Sequence, residues 1–149
     1  MQKNRKFFLL SIGLFLIFAG FYYVNSRIYS WRGNQIKTIV LGGEKIYAEV
    51  VSSKERTALG LGGRQAICSD CGMLFEFPAE GDYAFWMKNM KFPLDLIWIS
   101  KGEIVHLEKN VSQNDKRIFK SQVPAQKVLE VNAGFCDKFG IRIGDSLFE

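Results

Sequence analysis

The chain has one histidine, three cysteines and three prolines in 149 residues, and no acidic residue before Glu44. With His106 as its only imidazole, it cannot build a multi-histidine metal centre, and any serine or cysteine nucleophile would depend on that one base. His106 sits in alternating strand text with no evident nucleophile beside it, which argues against a hydrolase. Three cysteines allow at most one internal disulfide, so this is not a disulfide-dense scaffold. At 48% hydrophobic residues, the core does not need such staples. Internal repeats and low-complexity segments are missing too, which makes the folded region a single unit. The lack of early acids skews the charge: three of the twenty cations lie in the first six residues, and the rest carries seventeen cations against fifteen acids, a net +2. That near balance argues against a nucleic-acid surface, which needs a concentrated basic patch.

What is present begins with a long apolar run. Phe7 to Val24 reads FFLLSIGLFLIFAGFYYV, eighteen residues without a charge, near the lower limit for a helix that spans the hydrocarbon core. Lys3, Arg5 and Lys6 precede it, and Tyr22, Tyr23, Tyr29 and Trp31 cluster near its far end, where amphipathic rings favour the membrane interface. The expected organisation is a cytoplasmic tip and single-pass transmembrane helix over residues 1–26, a stem over 27–35, and one extracytoplasmic domain over 36–149 at the cell membrane. Arg27 and Arg32 follow the run and weaken the charge asymmetry that sets orientation. The order of basic head, apolar run and small residue near Ser26 also fits a signal peptide, although the run is longer than the usual core of one. Both readings put the domain outside the cytoplasm.

The domain reads as mainly β. IKTIVL and KIYAEVVS flank Gly42-Gly43, a dipeptide suited to the positive φ of a tight hairpin. Ser52 stands three residues before Glu55, a capping-box spacing for a short helix over Lys54 to Leu59 that ends in the glycines of GLGGR. Further strands are expected at Met73 to Phe77, Tyr83 to Asn89, Leu94 to Ser100, Glu103 to Lys109 and Lys127 to Val131. Asn110 to Val123 reads as a surface loop, Phe135 to Phe139 as a short helix, and Ile141 to Phe148 as a last strand kinked at Gly144-Asp145. Short strands with two small helices predict an antiparallel β-sandwich or a partly closed barrel, α+β in the broad sense.

Tyr83 to Asn89 is the most unusual text. Alternation would place Tyr83, Phe85, Met87 and Asn89 on one side and Ala84, Trp86, Lys88 and Met90 on the other, so a strand here is central and apolar on both faces. Lys88 and Asn89 would then need partners, and Asp95, beyond Pro93, is available to Lys88 or to an arginine. Either this is a core strand with a structural polar network, or Trp86, Lys88, Asn89 and Asp95 wall a ligand groove with an aromatic platform. Arg64 could clamp a carboxylate or phosphate, or tie loops together through Asp95 or Asp145. GLGGR is not a phosphate-cradling Walker loop. Asp95 with Glu76 or Glu130 could form a carboxylate pair, but sequence does not set their separation.

Cys68 and Cys71 form a CxxC followed by strand text rather than a helix, which favours a local disulfide over a thioredoxin-like site and leaves Cys136 buried and free. Three cysteines and His106 add up to a Cys₃His zinc set in number, but without ligand spacing. No metal or cofactor is expected.

Three groups of words, GLGGR at Gly60 to Arg64, GMLFEFP through AFWMKNM and PLD at Gly72 to Asp95, and VLEVNAG at Val128 to Gly134, resemble the domain-of-unknown-function family 192 over roughly the last three quarters of the chain. The family more often carries methionine where Gly62 stands here, and its words do not require the cysteines. The resemblance implies a mainly-β domain and names no reaction. The leading expectation is a membrane-anchored domain that binds a ligand or protein partner in the cell envelope. Its rivals are an envelope enzyme, built on Cys68 and Cys71 or on Asp95 and Arg64, and an accessory subunit of a membrane complex.

Overall fold

The computed structural model describes residues 33–149. The apolar run from Phe7 to Val24, and the anchor expected there, lie outside the described residues. Among the described residues no helix is long and apolar enough to cross a membrane.

Among the described residues, nine strands and two short helices follow one another as β1 (Ile36–Leu41), β2 (Glu44–Val51), α1 (Lys54–Leu59), β3 (Cys71–Gly81), β4 (Ala84–Phe85), β5 (Leu94–Ser100), β6 (Glu103–Val111), β7 (Phe119–Lys120), β8 (Ala125–Asn132), α2 (Phe135–Phe139) and β9 (Leu147–Phe148). Seven strands form one sheet in the order β6-β5-β8-β3-β2-β1-β9, and β4 pairs with β7 apart from it. Gly42 and Gly43 turn the first hairpin at φ 59° and 84°, which pairs Leu41 with Glu44. Ser53, not Ser52, caps α1 by accepting from the Arg56 N–H at 3.4 Å.

Two expectations about architecture are corrected. The sheet is not purely antiparallel, because β2 pairs in parallel with β3; the stretch from Ser52 to Asp70, with α1 in it, is long enough for the crossover that parallel neighbours require. Nor is it a sandwich of two sheets. The stretch after α2 runs from one edge strand to the other: Ser146 bridges Glu103 of β6, and Leu147 pairs with Leu41 of β1. The sheet therefore curls into a half-barrel, the partly closed barrel of the two expected architectures. Only Leu147–Phe148 of the expected last strand is regular, since Gly144 and Asp145 spend their backbone groups on Ile104.

Alternation divides the apolar side chains between the two faces. Leu41, Leu74, Ile97, Leu129 and Ile104 form one cluster, which α2 covers with Phe135 and Cys136. The other face carries Val51, Met73, Phe75, Leu96, Trp98 and Val128. The residues from Tyr83 to Asn89 lie over this second face rather than within the sheet, a further correction. Only Ala84–Phe85 is strand, and the chain then turns through Asn89 at φ 60°, a conformation that asparagine tolerates better than most residues. Phe85, Met87 and Met90 face down into the cluster, and Trp86, Lys88 and Asn89 face out. Trp98 donates its ring N–H to the Tyr83 carbonyl at 3.1 Å and so ties the segment to the sheet.

Candidate functional site

Cross-strand register sets the site. Glu49, Met73, Glu130, Leu96 and Glu108 stand opposite one another across five strands, so their side chains share the second face. Glu130 is flanked by Met73 and Leu96, and it is only 6% exposed. Burial raises its carboxyl from the usual range to about 8, against the opposing pull of Arg64; at neutral pH it holds its proton. Among the described residues its Oε2 has no hydrogen-bond partner.

Above this carboxyl lies a cavity of about 560 Å³. Phe75, Phe77, Tyr83, Phe85 and Trp86 supply aromatic wall, while Thr57, Ala58 and Leu59 of α1, with Gly60 to Gly62, form a roof and side. Phe75 meets Phe85 edge-on at 4.9 Å between ring centroids, and Phe77 stacks on Tyr83 at 3.5 Å. Gly60 passes close over the floor: a Cβ there would lie 3.6 Å from the Phe75 ring and 3.9 Å from Glu130 Oε2. Lys54 and Lys88 line the cavity and are exposed, so their charges stand at its rim. The roof loop is fastened to the aromatic segment by the Gly63 N–H, which donates to the Asn89 carbonyl at 2.9 Å. The arrangement can bury a mostly apolar molecule, contact one polar atom at the floor and meet charge at the rim.

Of the residues singled out from sequence, Trp86 and Lys88 line this cavity, whereas Arg64, Asn89 and Asp95 do not. Arg64 is bound in a two-point ion pair to Glu49, with Nη2 at 2.8 Å from Oε2, rather than to Asp95 or Asp145. Glu49 also accepts from Asn34 at 3.0 Å, and Asn34 accepts from Arg56 at 2.7 Å. Asp95 is not the partner of Lys88. It is fully buried and accepts from the backbone N–H groups of Asn110 at 2.7 Å, Gly134 at 3.3 Å and Cys136 at 2.8 Å. Asp95 thus secures the start of α2, and burial, reinforced by this carboxylate, pushes the Cys136 thiol up to about 12.

Cys68 and Cys71 are disulfide-bonded, and Cys136 is free and buried. Among the described residues the one cluster with metal-ligand atoms close together is Cys68, Asp70 and Cys71, and its two sulfurs are bonded to each other; His106 instead lies 3.2 Å from Glu108. Sequence reasoning missed Glu130 as the floor of the cavity. The signal was a single charge inside the apolar run VLEV on a strand with both faces buried.

The words at Gly60, Phe75 to Pro78, Ala84 to Met90 and Glu130 meet around this one cavity. The family model DUF192, described as an uncharacterised ACR, matches residues 37–148. No curated protein matches the chain. A protein of unknown function from Novosphingobium aromaticivorans DSM 12444 superposes with a TM-score of 0.78 at 25% identity, over 82% of this chain and 91% of that one. A protein from Sinorhizobium meliloti 1021, named a candidate transcription regulator, superposes with a TM-score of 0.74 at 30% identity, over 76% of this chain and 93% of that one.

Proposed function

The chain belongs to the DUF192 family, described only as uncharacterised, and from its cavity we propose that it is a ligand-binding domain rather than an enzyme. The observation that carries this reading is the buried Glu130 carboxyl at the floor of an aromatic-walled space, whose Oε2 has no hydrogen-bond partner among the described residues. A lone carboxyl under apolar walls costs stability. A ligand that fills the space covers the walls and gives the carboxyl a partner. Leu59 and Trp86 belong to the same lining and are 52% and 49% exposed; an occupant would cover them too.

The charge-free run from Phe7 to Val24 supports a tether that holds this domain on the outer face of the cell membrane, so the ligand would be met in the cell envelope. A disulfide between Cys68 and Cys71 suits that compartment. The regulator name of the Sinorhizobium protein is not carried over, because the chain beyond its first six residues has a net charge of only +2.

The test is extraction of the purified full chain with organic solvent, followed by mass spectrometry, beside the variant Ala58→Trp. Ala58 is exposed and lines the cavity, so a tryptophan there fills the space without displacing the core. The expected result is a stoichiometric small molecule on the native chain that the folded variant loses. The same content in both proteins, or none in either, counts against a ligand in this cavity.

A further inference from the structure

The lining names the chemistry of its occupant. This step rests on the ligand-binding reading above and deepens it. The walls are apolar and aromatic, which suits an acyl chain or a ring. The two charged side chains at the rim, Lys54 and Lys88, have the same sign. Among the described residues no carboxylate answers them within the lining, because the one acid there, Glu130, is held neutral at pH 7 by its burial. A cation would pass two ammonium groups to reach a neutral acid, whereas an anion would be attracted at the entrance and meet no repulsion inside. At the floor, the open carboxyl asks for a neutral hydrogen-bonding atom. The rim also exposes apolar surface at Leu59 and Trp86 beside those lysines. Arg56 of α1 holds the Gly33 carbonyl at 3.4 Å and the Asn34 side chain at 2.7 Å, so the chain coming from the proposed anchor enters beside the helix that roofs the cavity. Basic and apolar groups together on that side suit a molecule drawn from a lipid surface.

We propose that the cavity takes a single-chain amphiphilic anion, with its apolar body between the aromatic walls, its anionic group at Lys54 and Lys88, and an uncharged oxygen on its inner end at Glu130. Lys54 and Lys88 select the sign of the charge, and Glu130 selects the functional group at the inner end.

The experiment uses the full chain in zwitterionic nanodiscs with the methionine methyl groups labelled with ¹³C. Met90 lines the cavity and reports occupancy, and Met73, buried in the adjoining core, is the reference. Dodecanoate, ω-hydroxydodecanoate and dodecyltrimethylammonium are titrated in parallel. The expected result is a saturable Met90 shift at concentrations at least tenfold lower for the two anions than for the cation, with the hydroxylated chain the tighter anion. Lys54→Gln with Lys88→Gln should abolish the sign preference, and Glu130→Met should abolish the hydroxyl preference while leaving dodecanoate bound. A cation that binds as well as the anions overturns the proposed class but leaves the cavity as a ligand site. Shifts that persist unchanged in Ala58→Trp, or no Met90 shift with any of the three, overturn both.

Discussion

Glu130 owes its behaviour to its neighbours across the strands. With Met73 and Leu96 on either side, the ionised form loses its hydration and the charge of Arg64 offsets only part of that loss, so the carboxyl rises to about 8. The sign for stability follows from protonation. Below the ordinary carboxyl range both the folded and unfolded chains hold the proton, and Glu130 costs nothing through ionisation. Between that range and pH 8 the unfolded chain releases the proton while the folded chain keeps it, so stability falls by about 1.4 kcal/mol per pH unit. Above pH 8 both have released it and the loss levels off. Glu130→Gln removes this dependence: the stability difference between variant and native protein should change by about 3 kcal/mol between pH 5 and pH 8, read from urea unfolding at the two values. A difference that does not vary with pH would show that the carboxyl is hydrated in the folded state. Asp95 is the opposite case, a buried carboxylate answered by three backbone donors. Asp95→Asn puts an NH₂ group where one of the acceptor oxygens stands, and unfolding should become easier by about 2–4 kcal/mol. The site at Glu130 should keep its ligand in that variant, because Asp95 does not line the cavity; loss of the ligand from a folded variant would mean that the two sites are coupled.

Elements with a clear period or a clear turn were legible from the text. The Gly42-Gly43 hairpin, the helices Lys54–Leu59 and Phe135–Phe139, and the strands around Leu94–Ser100 and Ala125–Asn132 are where the sequence predicts them. The segment from Tyr83 to Asn89 was not, because strand-like alternation of buried and exposed residues also describes a chain laid over an apolar face and anchored at every second residue. Phe85 and Met87 supply those anchors, and Met90 adds a third beyond the turn at Asn89. Of the candidate site, Trp86 and Lys88 could be picked out locally, while the role of Glu130 depends on which strands flank β8, and no local pattern carries that information. The roof of the cavity was illegible for the same reason: its shape depends on how closely the glycine loop approaches Lys88 and Asn89. A Cβ at Gly62 would lie 2.9 Å from the Leu59 carbonyl oxygen and 3.3 Å from that of Lys88. Both obstacles are backbone, so Gly62→Ala must push the loop away from the aromatic segment. The expected cost is about 1–3 kcal/mol, with weaker ligand retention, measured by thermal unfolding and by the extraction assay on the same sample. A variant as stable as the native chain would mean that the loop has room to move.

At the scale of the molecule, one sheet serves two apolar faces, and closure is completed by the last residues of the chain. Leu129 and Val131 point to one face while Val128 and Glu130 point to the other, so the cavity floor is built on the reverse side of the half-barrel core. That core is sealed where Leu147 pairs with Leu41 and Ser146 bridges Glu103. Outside the seal, Lys37 lies 3.0 Å from Glu76 and 3.3 Å from Glu149, and Lys127 pairs with both carboxylates, linking β1, β3 and β8 to the chain end. Half-exposed pairs of this kind contribute little individually, so the seal should depend mainly on Leu147, which is 8% exposed. Removing residues 146–149 uncovers Leu41 and Ile104 and deletes the bridge between the two edges. The expected loss is about 3 kcal/mol, from burial of one leucine side chain together with its ladder hydrogen bonds. Leu147→Ala, which keeps the backbone bridge, should recover some of that loss, while neutralising Glu149 alone should change stability by less than about 1 kcal/mol. If Glu149→Gln instead reproduces the truncation, the half-barrel is closed by its surface charges and not by its apolar seal.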